Sequence, residues 1–221
     1  MKKFLLCLVL LIPGCNVITV ADYERLISRT VYKNHHKSVC KIKSFTLSNK
    51  FTGNGVLVKK VGEFYYVLTA SHVVNYNHTY VKLIDGTDLF GTSFTFEAHN
   101  VTVVRRDRKR DLCLLRFKSK KIYPIIKIGS RLDLTQERRF VFLSLMPFPF
   151  TFSLMYCQKY GRRQIKATHW KNRRNIIHGQ SGSPIFFANG NLAGILITTP
   201  DYVVGNFVTA EVIKDFLKGV K

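Results

Sequence analysis

The sequence predicts an all-β fold, two packed barrels followed by one C-terminal helix, and three observations carry that expectation. At 221 residues the chain exceeds one small domain and suits an all-β pair of barrels. Short runs rich in Val, Ile, Phe and Tyr recur along it, separated by Gly, Asn and Asp, as strands and turns require. Only the last residues carry the spacing of an amphipathic helix. The composition agrees, since 46% apolar and 22% charged is too hydrophobic for a disordered chain and too interrupted by charge for several membrane spans.

The elements follow in order. Met1-Lys2-Lys3 and the uncharged apolar run 4–12 read as a secretory signal occupying residues 1–21. That run is about half of the roughly 20 residues that span a bilayer, so a permanent anchor is the poorer reading. Two processing sites stay open. Ile12-Pro13-Gly14-Cys15 resembles a bacterial lipoprotein box, with cleavage before Cys15 and lipid on that residue, although Pro13 departs from the usual pattern. Ordinary cleavage after Ala21 is the alternative. Either way the protein is expected to be exported, secreted or periplasmic, and losing Lys2 and Lys3 leaves a net charge of about +20 on the folded part.

Strands are expected at 55–60, 64–69, 80–84, 101–105, 112–117 and 125–128, then at 140–145, 150–157, 184–187 and 192–198. The stretch 140–157 is uncharged and would suggest a membrane segment, but Pro147 and Pro149 favour two strands joined by a loop. Asn189-Gly190 between apolar runs predicts a tight hairpin with a φ > 0 pair. Residues 210–220 set Val212, Ile213, Phe216 and Leu217 on one helix face. Cys40, Cys113 and Cys157 are widely spaced with no C-x-x-C pattern, so no zinc site is indicated, and Cys40 and Cys113 read as buried free thiols.

Three local patterns carry chemistry. Thr69-Ala70-Ser71-His72 follows a strand directly, Asp111-Leu112-Cys113-Leu114-Leu115 opens another, and Gly179-Gln180-Ser181-Gly182-Ser183-Pro184 precedes the hairpin. Each alone is ordinary turn or surface chemistry. Together, in that order and with separations of 39 and 70 residues, they resemble the triad motifs of trypsin-like serine peptidases of the chymotrypsin fold, over about residues 38–217. The form G-x-S-G-S-P, and the missing Cys after His72, are nearer to HtrA-type and bacterial glutamyl endopeptidases than to digestive trypsins.

That resemblance implies a peptidase domain over 22–221 made of two six-stranded antiparallel Greek-key β-barrels, about 38–120 and about 121–208, with a C-terminal α-helix at about 210–220. It implies a polypeptide substrate and a serine endopeptidase in which His72 is the base, Asp111 orients it and Ser181 is the nucleophile. The amides of Gly179 and Ser181 would form the oxyanion hole, and no metal or organic cofactor is implied. Asp107 competes for the acid and Ser183 for the nucleophile, but only Asp111 directly precedes an apolar run and only Ser181 sits between glycines. Trypsins carry an Asp immediately before the nucleophile that pairs with a new N-terminus; Gln180 stands there, so no such activation is expected.

From Arg138 to Pro200 there are nine Lys or Arg and no Asp or Glu, which argues against tryptic specificity, because a buried cationic substrate side chain would lack a counter-ion. By the same resemblance Asn175 lies near the pocket floor, with Ile197, Thr198 and Thr199 as a wall, and a neutral or acidic residue is expected before the scissile bond. Glutamyl endopeptidases have a His in that wall; this chain has Leu196 and Ile197, and His178 reads as a loop residue.

The net charge of +22, from 35 Lys+Arg against 13 Asp+Glu, exceeds what solubility requires. Clusters at 105–110 and 159–174 suggest an anionic membrane or envelope partner ahead of nucleic acid, for which no recognised motif is present, with a solvated cationic surface as the plain alternative. A catalytically silent binding protein on the same fold is the rival reading.

Overall fold

The computed structural model describes residues 20–45, 50–74, 78–84, 96–130, 139–145, 151–160, 164–169, 179–198 and 204–220. Helix α1 (Val20–His35) opens this part and α2 (Ala210–Leu217) closes it. Between them lie β1 (Val39–Phe45), β2 (Lys50–Val61), β3 (Phe64–Ala70), β4 (His78–Ile84), β5 (Phe96–Asn100), β6 (Thr102–Asp107) and β7 (Leu112–Lys118). The second half contributes β8 (Arg139–Ser144), β9 (Thr151–Tyr160), β10 (Gln164–His169), β11 (Pro184–Phe186), β12 (Leu192–Thr198) and β13 (Val204–Thr209).

The first seven strands form one sheet in the order β5-β4-β1-β2-β3-β7-β6, and the last six form a closed barrel, β10-β13-β12-β11-β8-β9, all antiparallel. The seven-stranded count reconciles with the expected six at Val101. Asn100 pairs with Tyr80 on one edge while Thr102 pairs with Arg116 on the other. Two residues span at most about 7 Å, so one segment bent at Val101 supplies both edges and the sheet curls back on itself.

The uncharged stretch resolves as the prolines suggested, into β8 and β9 paired from Arg139↔Tyr156 to Ser144↔Thr151; residues 146–150 between them lie outside the described residues. Residues 125–128, expected as a strand, join no ladder. After Pro124 they form an extended connector whose bonds are divided between the barrels: Ile126 N–H donates to Leu57 O (2.9 Å), Leu192 N–H to Lys127 O (2.8 Å) and Gly129 N–H to Leu192 O (2.9 Å). The hairpin at Asn189-Gly190 is present but looser than a two-residue turn. Phe187 N–H donates to Asn191 O and Gly190 N–H to Phe187 O, both at 2.9 Å, and only Gly190 takes positive φ, +83°.

Helix α1 is the element the sequence pattern missed, and cleavage after Ala21 would fall in its first turn. Among its described side chains it buries Ser28, Val31 and Tyr32, and it lies against β8 and β9. His35 stacks on Phe186, ring centroids 5.2 Å apart, and burial holds its imidazole below the usual range. At the other end α2 buries Ala210, Val212, Ile213 and Phe216, stops at Leu217 rather than 220, and straps the second barrel to the first. Arg105 of β6 lies over the Phe216 ring at 5.3 Å and donates to Lys218 O at 2.8 Å, while Arg110 pairs with Asp215 at 3.1 Å.

Two apolar cores result. One joins the interior of the curled sheet to the inter-barrel contact and the face of α2; the other, Phe140, Phe142, Ile185, Phe187, Ala193, Leu196 and Phe207, fills the second barrel. Cys40 and Cys113 are free and buried, and burial pushes both thiols up; Arg106 partly offsets this for Cys113. The side chain of Cys157 lies outside the described residues. Among the described residues no helix is long and apolar enough to cross a membrane.

Candidate active site

The ladder between β3 and β7 places the first pair. Its register runs to Ala70↔Leu112, so the residues just beyond each strand end, Ser71-His72 and Asp111, face one another without any long-range docking. Ser71–Val73 turns as a short 3₁₀ segment closed by Val74 N–H to Ser71 O at 3.1 Å. Ser71 N–H donates to Asp111 O (3.0 Å), His72 N–H to Asp111 Oδ1 (2.9 Å) and His72 Nδ1–H to Asp111 Oδ2 (2.6 Å). Both carboxylate oxygens are thereby used on one residue. An ionised carboxylate only accepts, so Nδ1 carries the proton and Nε2 is left as an acceptor. The imidazole is 48% exposed against 26% for the carboxylate, which leaves the ring open to a second partner while its acid is shielded.

Asp111 is the one non-glycine residue with positive φ among the described residues, +53°. Asp tolerates that region better than most side chains, and the three bonds to Ser71 and His72 hold it there. Asp107, the competing acid, is engaged elsewhere: it accepts from Arg110 N at 3.0 Å and faces the Arg110 guanidinium in the β6–β7 turn.

Ser181 lies in a turn between the two barrels. Ser183 N–H donates to Gln180 O (3.0 Å), and Gly182 N–H and Leu196 N–H bond to Leu196 O and Ser183 O respectively (2.7 and 2.9 Å), so the turn continues β11 alongside β12. Gly182 has φ +83°, and a Cβ there would land on the carbonyl oxygen of Asn54. Only glycine satisfies both demands. Ser181 is half-buried, whereas Ser183 is fully buried with its hydroxyl unpartnered among the described residues, which removes it as a group that could meet substrate. Gln180 is buried too.

The residue that sequence reasoning missed is Asn54, fully buried in β2. Its backbone N–H donates to Ser181 O (2.7 Å) and its Nδ2 to Gly179 O (2.9 Å) and Ser144 Oγ (3.3 Å). Its Oδ1 accepts from Leu145 N (3.1 Å) and its carbonyl from Thr69 Oγ1 (2.6 Å). A first-barrel residue thus clamps the carbonyls on either side of the Gln180–Ser181 amide. The available signal was a polar residue between two glycines inside a strand-forming run, Gly53-Asn54-Gly55, a pattern that more often marks a turn.

Of the expected pocket residues, Ile197 is the extra residue of a bulge in β12, since Leu196 pairs with Phe207 and Thr198 with Asn206, and it is buried at the inter-barrel core. Thr198 ends β12. Asn175, His178 and Thr199 lie outside the described residues. Among the described residues no group of three His, Cys, Asp or Glu is placed to hold a metal ion.

The chain's sequence matches the model of the trypsin-like peptidase domain over residues 53–195, an interval that contains His72, Asp111 and Ser181. No curated protein sequence matches it. Its fold is similar to that of a serine endoprotease from Yersinia pestis (TM-score 0.66, 17% identity, covering 85% of this chain and 64% of that one). It is also similar to Deg5 (TM-score 0.68, 17% identity, 87% and 92% covered) and to the Rv3671c protease from M. tuberculosis in its active form (TM-score 0.66, 19% identity, 87% and 84% covered). The chain spans less than two thirds of the length of the Yersinia protein. With over half of its length matched by the family model, and with a fold shared with these structures, the chain belongs to the trypsin-like peptidase domain family.

Proposed function

We propose that the protein is an exported serine endopeptidase that cleaves polypeptides through His72, Asp111 and Ser181. The observation that carries this reading is the engagement of Asp111 by both the ring and the backbone amide of His72, which presents Nε2 as a base. A serine hydroxyl is a weak nucleophile until such a base takes its proton. His72 removes the proton of Ser181 Oγ as that oxygen bonds to the scissile carbonyl carbon, and Asp111 stabilises the imidazolium. The developing oxyanion accepts from the amides of Gly179 and Ser181, in a turn whose neighbouring carbonyls Asn54 clamps. His72 then hands its proton to the leaving amine, and the acyl-enzyme is hydrolysed by a water that His72 deprotonates.

Specificity is for a neutral or acidic residue before the scissile bond, supported by the absence of Asp and Glu from Arg138 to Pro200. Ile197, directly after Leu196 in the strand that flanks the Ser181 turn, is suited to a pocket wall. Gln180, a buried neutral amide, cannot form the ion pair that activates trypsins, so the domain is active without a freed N-terminus. Export follows from the signal-like first 21 residues, with Cys15 as a lipid anchor if cleavage falls before it. The test is incubation of the wild type and Ser181→Ala with an unbiased peptide library, with cleaved bonds identified by mass spectrometry. Cleavage after neutral or acidic residues by the wild type alone supports the reading; cleavage after Lys or Arg, or equal cleavage by both proteins, overturns it.

A further inference from the structure

We propose that the outward face of β1, β2 and β4 is a docking surface for an acidic, extended segment of the substrate polypeptide, held a few residues to one side of the scissile bond. The proposal rests on the peptidase reading of Ser181.

Strand β1 lies inside the sheet, with β4 on one side and β2 on the other. Alternate residues share a face, and the inward set, Cys40, Ile42 and Ser44, is fully buried. The outward set is therefore Lys41, Lys43 and Phe45. Directly across on β4 stand Lys82, Tyr80 and His78, and across on β2 stand Thr52 and Lys50; Asn54, opposite Lys41, is covered by the second barrel. Four lysines, one histidine and two aromatic rings fill this lattice, and none of these positions is Asp or Glu.

Folding alone does not favour such a face, because like charges directly opposite in a ladder, as Lys41 and Lys82 are, destabilise it. The charges feel each other: burial first, then Lys43, Lys82 and Lys50, hold the Lys41 ammonium below its usual range. The rings support the cations. Phe45 and Tyr80 stack at 5.5 Å, with Lys50 Nζ 5.7 Å from the Phe45 ring and Lys82 Nζ 5.8 Å from the Tyr80 ring. The result is a surface with positive heads and partly exposed aromatic rings, complementary to alternating carboxylate and apolar side chains.

Position decides for the substrate as occupant. The face borders Asn54, which is buried under the second barrel and whose N–H bonds to Ser181 O, and a Cβ on the adjacent Gly53 would lie 2.9 Å from the same oxygen. At about 3.3 Å per residue, Thr52 is roughly 7 Å and Lys50 roughly 13 Å further along β2. An extended peptide crossing the cleft reaches them within two to four residues, and its alternate side chains repeat at the same interval as the rows of lysines. Both edges of β1 are already paired, so recognition here works through side-chain charge and not through strand addition.

The test uses Ser181→Ala as the binding form and fluorescence anisotropy with a fluorescein-labelled peptide of alternating Glu and Phe, its Gln-for-Glu counterpart, and a single-stranded oligonucleotide of equal charge. The triple variant Lys43→Gln/Lys50→Gln/Lys82→Gln is compared with its parent, and circular dichroism checks both folds. The expected result is binding of the Glu peptide over the Gln peptide, weakened about tenfold or more by the triple variant and by raised salt. Binding that ignores the three substitutions, or tighter binding of the oligonucleotide than of the Glu peptide, overturns the proposal. In the catalytic background the triple variant should leave fluorophosphonate labelling of Ser181 unchanged, so a failed label would count against the peptidase reading and a failed anisotropy shift against the docking face.

Discussion

His72 and Asp111 meet through the register of one ladder, β3 against β7, inside a single barrel. Ser181 sits in a turn of the other barrel whose shape is held by Asn54, a residue reached only when the two barrels dock. One half of the candidate site is therefore written into local pairing and the other into tertiary assembly. Disturbing the inter-barrel contact should misplace the proposed nucleophile while leaving the proposed base with its acid.

The predictions test that contrast, beginning with the largest effect. Ser181→Ala should lower peptide turnover by at least about 10⁴-fold with unchanged melting temperature. Asp111→Asn should cost about 10⁴ in kcat, because an amide partner favours the wrong imidazole tautomer, and should abolish the downfield proton NMR signal of His72 Nδ1–H. Asn54→Ala should keep that signal yet lower kcat by about 10 to 10²-fold through a displaced Ser181 turn. It also leaves Gly179 O and Leu145 N without their partner, so the melting temperature should drop by roughly 5–10 °C. If Asn54→Ala erases the His72 signal as well, the two halves are not separately built and the comparison fails.

The smallest effect lies at α1. Burial holds the imidazoles of His35 and His36 below the usual value. The unfolded chain then binds protons that the folded chain resists, so stability is complete above the ordinary imidazole pKa of about 6.5 and declines as pH falls toward the lower folded values. Thermal melts from pH 7.5 down to pH 5 should show this decline, and His35→Phe, which preserves the stack on Phe186, should flatten part of it.

What could be read in the sequence follows the same division. Thr69-Ala70-Ser71-His72 and Asp111-Leu112 were legible because a strand end and a strand start carry their own signals, and their pairing needs nothing else. The glycines around Ser181 were legible because positive φ demands them. Asn54 was not, since its role depends on Gly179, Ser144 and Leu145, which are 90 or more residues away. Residues 125–128 looked like a strand because their apolar pattern is real, but their hydrogen bonds go to two different sheets. Helix α1 escaped because, among its described side chains, the buried stripe is Ser28, Val31 and Tyr32, too narrow for a periodicity argument. The two-residue hairpin at Asn189-Gly190 became a five-residue loop because Asn189 does not share the positive φ of Gly190.

The most direct measurement is labelling of the wild-type protein with a small fluorophosphonate, read by intact mass and peptide mapping beside Ser181→Ala and His72→Ala. The account predicts one adduct, on Ser181, absent from both variants. A folded wild-type protein that takes no adduct, or takes it on another residue, would contradict Ser181 as an activated nucleophile.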